Sequence, residues 1–478
     1  GRYADLMKAK NSRYVILAKR LSESQKSQIT SLKLSGVGLQ ALDYRTYPQG
    51  SLAAQLLGFV NNDGLGTYGL EQKFNQDLSG TPGMLKAITD ASGVPLAASR
   101  DNIQLDPKAG QDLTLTIDIS MQKGLESILQ KGLQKVKSPS GSALIINPND
   151  GAILAMANWP SFDPAHYFDI SDPSKFNDPA ISAPLEIGSV MKVLTVSAGI
   201  NQGVINSNTT YHDSGSATID GFTIKNVHPI PSDPVSIGDV LRYSLNTGAI
   251  FTLKQMGGGD INQKGRRIWH DYMTDHFQLG KKTGIDLPNE GAGSIPDPDN
   301  GYGLNLQYAN TAFGQGMTAT ILQIAAAYAA VLNGGTYYRP YVVDSRSTDG
   351  KTHSTKPQVV AKNVVSTQTS AQIRSLMQYV FEQNHSGYSS NLHAGYIIGG
   401  KTGTAQIPQP SGGYKTNVYN GTFLGYVGGD KPQYLAAVVV NTPDLPGYDS
   451  AGAQAAAPIF GSIEDMLINN FGVIPKTH

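Results

Sequence analysis

At 478 residues, with 40% apolar side chains, the chain has material for two or three packed domains. Its 53 glycines and 15% charged residues argue against a coiled or disordered protein, and 37 basic residues balancing 37 acidic ones give no electrostatic basis for binding nucleic acid. Cysteine is absent, which excludes disulfides, thiolate nucleophiles and Cys-based zinc sites, and the nine histidines form no His-x-x-x-His pair, so each is read as a surface or packing residue and no metal is expected.

Residues 22–33 predict a helix, and Pro48-Gln49-Gly50, Asn62-Asp63-Gly64 and Thr81-Pro82-Gly83 punctuate the chain after it as turns. Residues 106–110 read as a linker. Residues 113–117 alternate as a strand, and Met121, Leu125, Ile128, Leu129, Leu133 and Val136 then recur at helical spacing. Two strand-like runs, 142–147 and 152–157, meet across Asn149-Asp150-Gly151, a hairpin signal.

A long, mostly helical middle follows. Its most apolar run, 321–332, is interrupted by Gln323 and falls short of the ~18 residues a membrane span needs. It reads as a buried helix. No signal peptide precedes Gly1, so the chain as given is expected to be soluble, with an upstream anchor cut away. Ile373, Leu376, Met377, Val380 and Phe381 make a helix face, strands are expected at 395–406, 421–427 and 434–441, and an Ala-rich helix begins near Ala451.

The fold class expected is α+β. Two early and three late strands build one antiparallel five-stranded sheet flanked by helices, with a helical lobe beside it. Two domains are expected, a non-catalytic one at 1–110 and a catalytic one at 111–478.

Three short motifs carry the chemistry. Ser189-Val190-Met191-Lys192 is Ser-x-x-Lys, Ser244-Leu245-Asn246 is Ser-x-Asn, and Lys401-Thr402-Gly403 is Lys-Thr-Gly. The apolar run after Gly188 puts Ser189 at a helix N-terminus, with Lys192 one turn on and on the same face. A serine hydroxyl is a weak nucleophile until a base takes its proton. A lysine serves when burial or a second cation, here Lys401, leaves it partly neutral. A backbone N–H of the helix N-terminus and one from Thr404 would face the developing oxyanion. Ser244 would relay protons to the leaving amine, and Asn246 would hold Lys192 or a substrate amide. The glycines around Lys401, Gly403 among them, leave that strand bare for an extended peptide. Thr402 and Thr404 offer hydroxyls to a substrate carboxylate.

Each motif alone is weak. Ser-x-x-Lys is mostly an exposed helix pair, Ser-x-Asn a turn or cap, and Lys-Thr-Gly occurs a second time at Lys282-Thr283-Gly284. The copy at Lys401 is chosen because Tyr396-Ile397-Ile398 leads into it as a strand, whereas the earlier copy opens onto Asp286-Leu287-Pro288-Asn289-Glu290, a loop. The ordered trio is specific where its members are not.

With these motifs the chain resembles the class B penicillin-binding proteins over nearly its whole length. Arg242 to Ala249, Gly314-Gln315-Gly316 before Asn333-Gly334-Gly335, and Asn147 to Met156 are similar to further family segments. So are Arg45 to Gly50, and Gly69-Leu70-Glu71 before Leu78 to Gly83, which look like the family's pedestal domain; Asn62 to Gly66 leans towards the division-specific subgroup. Ile187 stands where the family commonly has Pro, and Asn147 where Asp is usual. Neither change removes a reacting group.

The resemblance implies a penicillin-binding transpeptidase fold on an N-terminal pedestal, no cofactor, and serine D,D-transpeptidation of peptidoglycan stem peptides. It further implies covalent inhibition by β-lactams, a membrane-anchored place on the extracytoplasmic face, and a membrane-embedded glycosyltransferase and divisome proteins as partners. A β-lactam-hydrolysing or D,D-carboxypeptidase enzyme and a non-catalytic scaffold or β-lactam sensor are the alternatives. The first is disfavoured by the pedestal, the second by the intact Ser189, Lys192, Asn246 and Lys401 set.

Overall fold

The computed structural model describes residues 15–19, 21–40, 44–86, 103–229, 233–389, 393–409, 411–448 and 450–477. Contacts divide the chain into two units, Gly1–Arg45 and Thr46–His478. In the first, α1 (Glu23–Ser31) opens on a capping box between Ser22 and Gln25 and has no buried residue.

The contacts divide the chain after Arg45 because the segment that follows is packed into the larger unit. Ala53 N donates to Glu126 Oε1 over 2.7 Å. Phe59 stacks on Tyr167 at 4.2 Å within an aromatic cluster that includes Phe162 and Phe176. The expected linker is also held: Thr81 and Lys108 exchange two backbone hydrogen bonds, each 2.9 Å.

The larger unit is built on five antiparallel strands, β1 (Ser140–Ile146), β2 (Ile153–Trp159), β3 (Ile397–Pro408), β4 (Tyr414–Gly428) and β5 (Pro432–Asn441). Their order is β3-β4-β5-β1-β2, so the early pair and the late trio form one sheet. Successive residues point to opposite faces. Ala143, Ile145, Val438 and Val440 join one core cluster, and Leu144, Ile146, Ala437 and Val439 the other. Both faces are covered, which is why β1, β2 and β5 read as largely apolar runs.

The helices that position the sheet and the site are α2 (Ile119–Lys135), α3 (Met191–Asn201), α4 (Asn246–Met256), α5 (Ile321–Leu332), α6 (Thr367–Tyr388) and α7 (Ala457–Asn470). Leu125, Leu129 and Leu133 of α2 and Ile459, Ile463 and Leu467 of α7 fill the first cluster. The second belongs to the helical lobe, where α3 is buried from Met191 to Ile200 and α5 along its whole length. A helix apolar on every side has to be interior. Gln323 is no flaw there, since its Nε2 donates to Lys281 O and Ala292 O at 2.6 and 2.7 Å. Among the described residues no helix is long and apolar enough to cross a membrane.

The helical middle also contains a hairpin, Ser216–Ile219 with Phe222–Lys225. The strand Asp112–Leu115 pairs with Val343–Thr348, outside the main sheet.

Candidate active site

Gly188–Val190 form one tight turn that leads directly into α3, so Ser189 sits at the mouth of a buried helix. Gly188 has φ +62° and takes no side chain: a Cβ there would lie 2.3 Å from Thr404 O and 2.1 Å separates a Gly314 Cβ from Gly188 O. Gly188 N donates to Gly314 O over 3.1 Å. Gly403 is bare for the same reason, since a Cβ would meet Thr422 Oγ1 at 2.2 Å and Ile187 O at 2.8 Å. Thr422 Oγ1 uses that proximity to donate to Ile187 O over 2.9 Å. Three glycines thus let the nucleophile turn, the Gly314 loop and β3 meet backbone to backbone.

Lys192 is fully buried. Its Nζ lies 2.9 Å from Ser189 Oγ, 2.8 Å from Asn246 Oδ1, 2.5 Å from Ser244 O and 3.2 Å from Ser244 Oγ. Ser244 adopts φ +55°, a conformation that non-glycine residues rarely hold and that turns both its carbonyl and its hydroxyl to Lys192. Lys401, 1% exposed, donates from Nζ to Ser244 Oγ over 3.0 Å and to Thr402 O over 3.0 Å. Ser244 Oγ therefore accepts from both lysine nitrogens and keeps its own proton to donate. Burying two like charges around one hydroxyl disfavours both being charged together.

Asn246 opens α4 and is oriented at its other end, where Nδ2 donates to Lys225 O over 3.0 Å. Next to it Thr247 donates from Oγ1 to Asp213 Oδ2 over 2.5 Å, and Asn226 and Tyr211 bond the same carboxylate. Asp213, Asn226 and Thr247 hold the second motif in place. Thr247 lies in the Arg242 to Ala249 segment, but sequence reasoning did not single out Asp213 and Asn226, which flank a hairpin with no local pattern.

The two threonines are already engaged. Thr402 Oγ1 lies 3.4 Å from Lys401 Nζ. Thr404 Oγ1 accepts from Gly452 N over 3.2 Å, while Thr404 O accepts from the Tyr448 hydroxyl over 3.0 Å. Thr404 Oγ1 accepts in the bond from Gly452 N and keeps its own proton to donate to a substrate carboxylate.

Glu186, outside the helix as its place before Gly188 suggests, is the acid nearest Ser189 in sequence. Its Oε1 accepts from Gly316 N at 3.0 Å and from the Tyr414 hydroxyl at 3.1 Å. Burial pushes its carboxyl up, and those two hydrogen bonds offset part of the rise. The second Lys-Thr-Gly lies elsewhere: Lys282 is exposed on a loop, and Thr283 is buried against Glu290 Oε1 at 2.5 Å. The structure brings Ser189, Lys192, Ser244, Asn246 and Lys401 together from three distant segments. This is a set for activating a hydroxyl and moving a proton.

Two family descriptions match the chain, the penicillin-binding protein transpeptidase domain over residues 141–465 and the penicillin-binding protein dimerisation domain over residues 2–115. Stage V sporulation protein D of Bacillus subtilis is 33% identical across 96% of this chain and 69% of that protein. The peptidoglycan D,D-transpeptidase FtsI of Escherichia coli is 28% identical across 97% of this chain and 73% of its own. Among solved structures, penicillin-binding protein 3 of Mycobacterium tuberculosis in complex with aztreonam superposes with a TM-score of 0.76. The two are 29% identical, over 91% of this chain and 92% of that one.

Proposed function

The chain belongs to the class B penicillin-binding proteins, and from that premise we propose that it cross-links peptidoglycan stem peptides as a D,D-transpeptidase with Ser189 as its nucleophile. The observation that carries the residue assignment is the 2.9 Å contact of Lys192 Nζ with Ser189 Oγ at the start of a buried helix.

In this reading Ser189 Oγ attacks the carbonyl carbon between the two terminal D-alanines, and its proton passes to neutral Lys192. The negative charge on the carbonyl oxygen faces the backbone N–H groups of Ser189 and Thr404. When the C–N bond breaks, the departing D-alanine amine takes a proton through Ser244, which touches both lysines. The amine of a second stem then attacks the ester, returns a proton along the same path and restores the serine. Asn246 keeps Lys192 aimed, and Lys401 supplies fixed positive charge for the donor carboxylate. Edge strand β3 is the docking strand for the donor peptide.

We assign residues 1–110 to the pedestal and 111–478 to catalysis, in line with the spans of the two family matches. The reading extends to an extracytoplasmic, membrane-anchored enzyme working beside a membrane-embedded glycosyltransferase and divisome proteins, since its substrate is the cell wall. Incubating the chain with a donor stem peptide and an excess of acceptor amine tests the reaction. Cross-linked product with release of one D-alanine per bond is expected. Release of D-alanine with hydrolysed donor alone would contradict transfer.

A further inference from the structure

Glu464, on α7, is fully buried, and both of its carboxylate oxygens lack any hydrogen-bond partner. A buried ionised carboxylate is costly unless it is paired or ligates a metal. Beside Glu464, His393 Nε2 lies 2.6 Å from Asp465 Oδ1. One ligand atom from each of His393, Glu464 and Asp465 lies within 4.8 Å of the others.

We propose that His393, Glu464 and Asp465 form a zinc site that ties α7 to the segment entering β3. Imidazole nitrogen and carboxylate oxygen are both zinc donors, and three such ligands leave the fourth tetrahedral position to water. Zn–N and Zn–O bonds of about 2.0–2.2 Å place ligand atoms nearer together than the observed limit, so a small inward movement closes the set. The imidazole argues against calcium or magnesium, which take oxygen ligands and more of them. A zinc ion would give Glu464 the partner it lacks and replace the proton between His393 and Asp465. Ile463 and Leu467, flanking the acids, belong to the core on the sheet face opposite Val190 and Met191. The site therefore stands apart from the nucleophile turn. Its consequence for the chemistry is indirect: His393 precedes Ile397, where β3 begins, and β3 carries Lys401.

The test uses the full chain, treated with chelator, dialysed and titrated with zinc chloride by calorimetry, with thermal unfolding followed in parallel. A single equivalent should bind and raise the unfolding temperature. His393→Ala and the isosteric Glu464→Gln should each weaken that binding by at least ~100-fold, beyond the ~10–100-fold typical of losing a group that merely supports a ligand. His212→Ala, from an exposed pair with Asp233, should bind like the parent. β-Lactam acylation checks that each variant is folded, and Glu464→Gln carries the test if the alanine variant does not fold. No zinc-dependent heat and no thermal shift in the parent would overturn the proposal. So would undiminished binding in a folded variant, or calcium chloride binding more tightly than zinc.

Discussion

Lys401 Nζ donates to Ser244 Oγ across 3.0 Å, joining two motifs that lie 157 residues apart. That bond places the charge of β3 on the hydroxyl that also touches Lys192. Lys401→Ala should lower the second-order rate of β-lactam acylation by ~10²–10³-fold, the usual cost of a preorganised electrostatic group. Lys282→Ala, on an exposed loop, should leave the rate unchanged and stability within ~0.5 kcal/mol. The opposite pattern would move the third motif to the earlier copy.

Lys192→Arg tests the base. Guanidinium keeps its proton at any working pH and does not fit a pocket that meets the ammonium on three sides. Acylation should fall by ~10²–10⁴-fold, the range that general-base catalysis supplies. An arginine variant acylating at the parent rate would remove lysine from that role.

Gly403→Ala should push the nucleophile turn off β3, because its Cβ would sit 2.2 Å from Thr422 Oγ1 and 2.8 Å from Ile187 O. A stability loss of ~1–3 kcal/mol is expected from the overpacking, together with slower acylation. Gly387→Ala, with open space around the new methyl on α6, should raise helix stability by up to ~1 kcal/mol. Paired denaturant melts of the two variants distinguish a tight backbone approach from a general intolerance of alanine.

How far these relationships could be read from sequence differs residue by residue. Ser189 and Lys192 were legible because a helix places i and i+3 side by side, and Lys401 because Tyr396-Ile397-Ile398 reads as a strand. The approach of Gly188 to Thr404 and Gly314 was not, since it depends on three segments meeting. The Asp213 network behind Asn246 was hidden for the same reason. β4 begins at Tyr414, seven residues before the expected start, because none of its first, turn-proximal residues is buried and they carry no apolar alternation. The strand at 113–117 was visible, but its partner at 343–348 was not. Local pattern reports an element, and pairing is a long-range fact.

Asp178 gives stability a pH dependence of known sign. It is fully buried, and burial raises its carboxyl from 3.8 to about 6 against hydrogen bonds from Asn158 and Ala180 N. Between those two values the folded state binds more protons than the unfolded one. Its contribution therefore improves as pH falls through about 6 and is complete below 3.8, a gain on the order of 3 kcal/mol. Asp178→Asn keeps both accepted hydrogen bonds and removes the titration. The stability difference between parent and variant should shift in favour of the parent as pH drops from 7 to 4. A difference independent of pH, or one shifting the other way, would contradict the assignment.

The central claim is that Ser189 is the acylated atom, and intact-mass and peptide mapping after exposure to a penicillin tests it most directly. One penicillin mass should be added per chain, on the peptide that contains Ser189, and should persist through the measurement. Ser189→Ala, which removes one hydroxyl from a small side chain, should fold and carry no adduct. An adduct of undiminished yield on the alanine variant, or one mapping to another serine of the parent, would contradict the account.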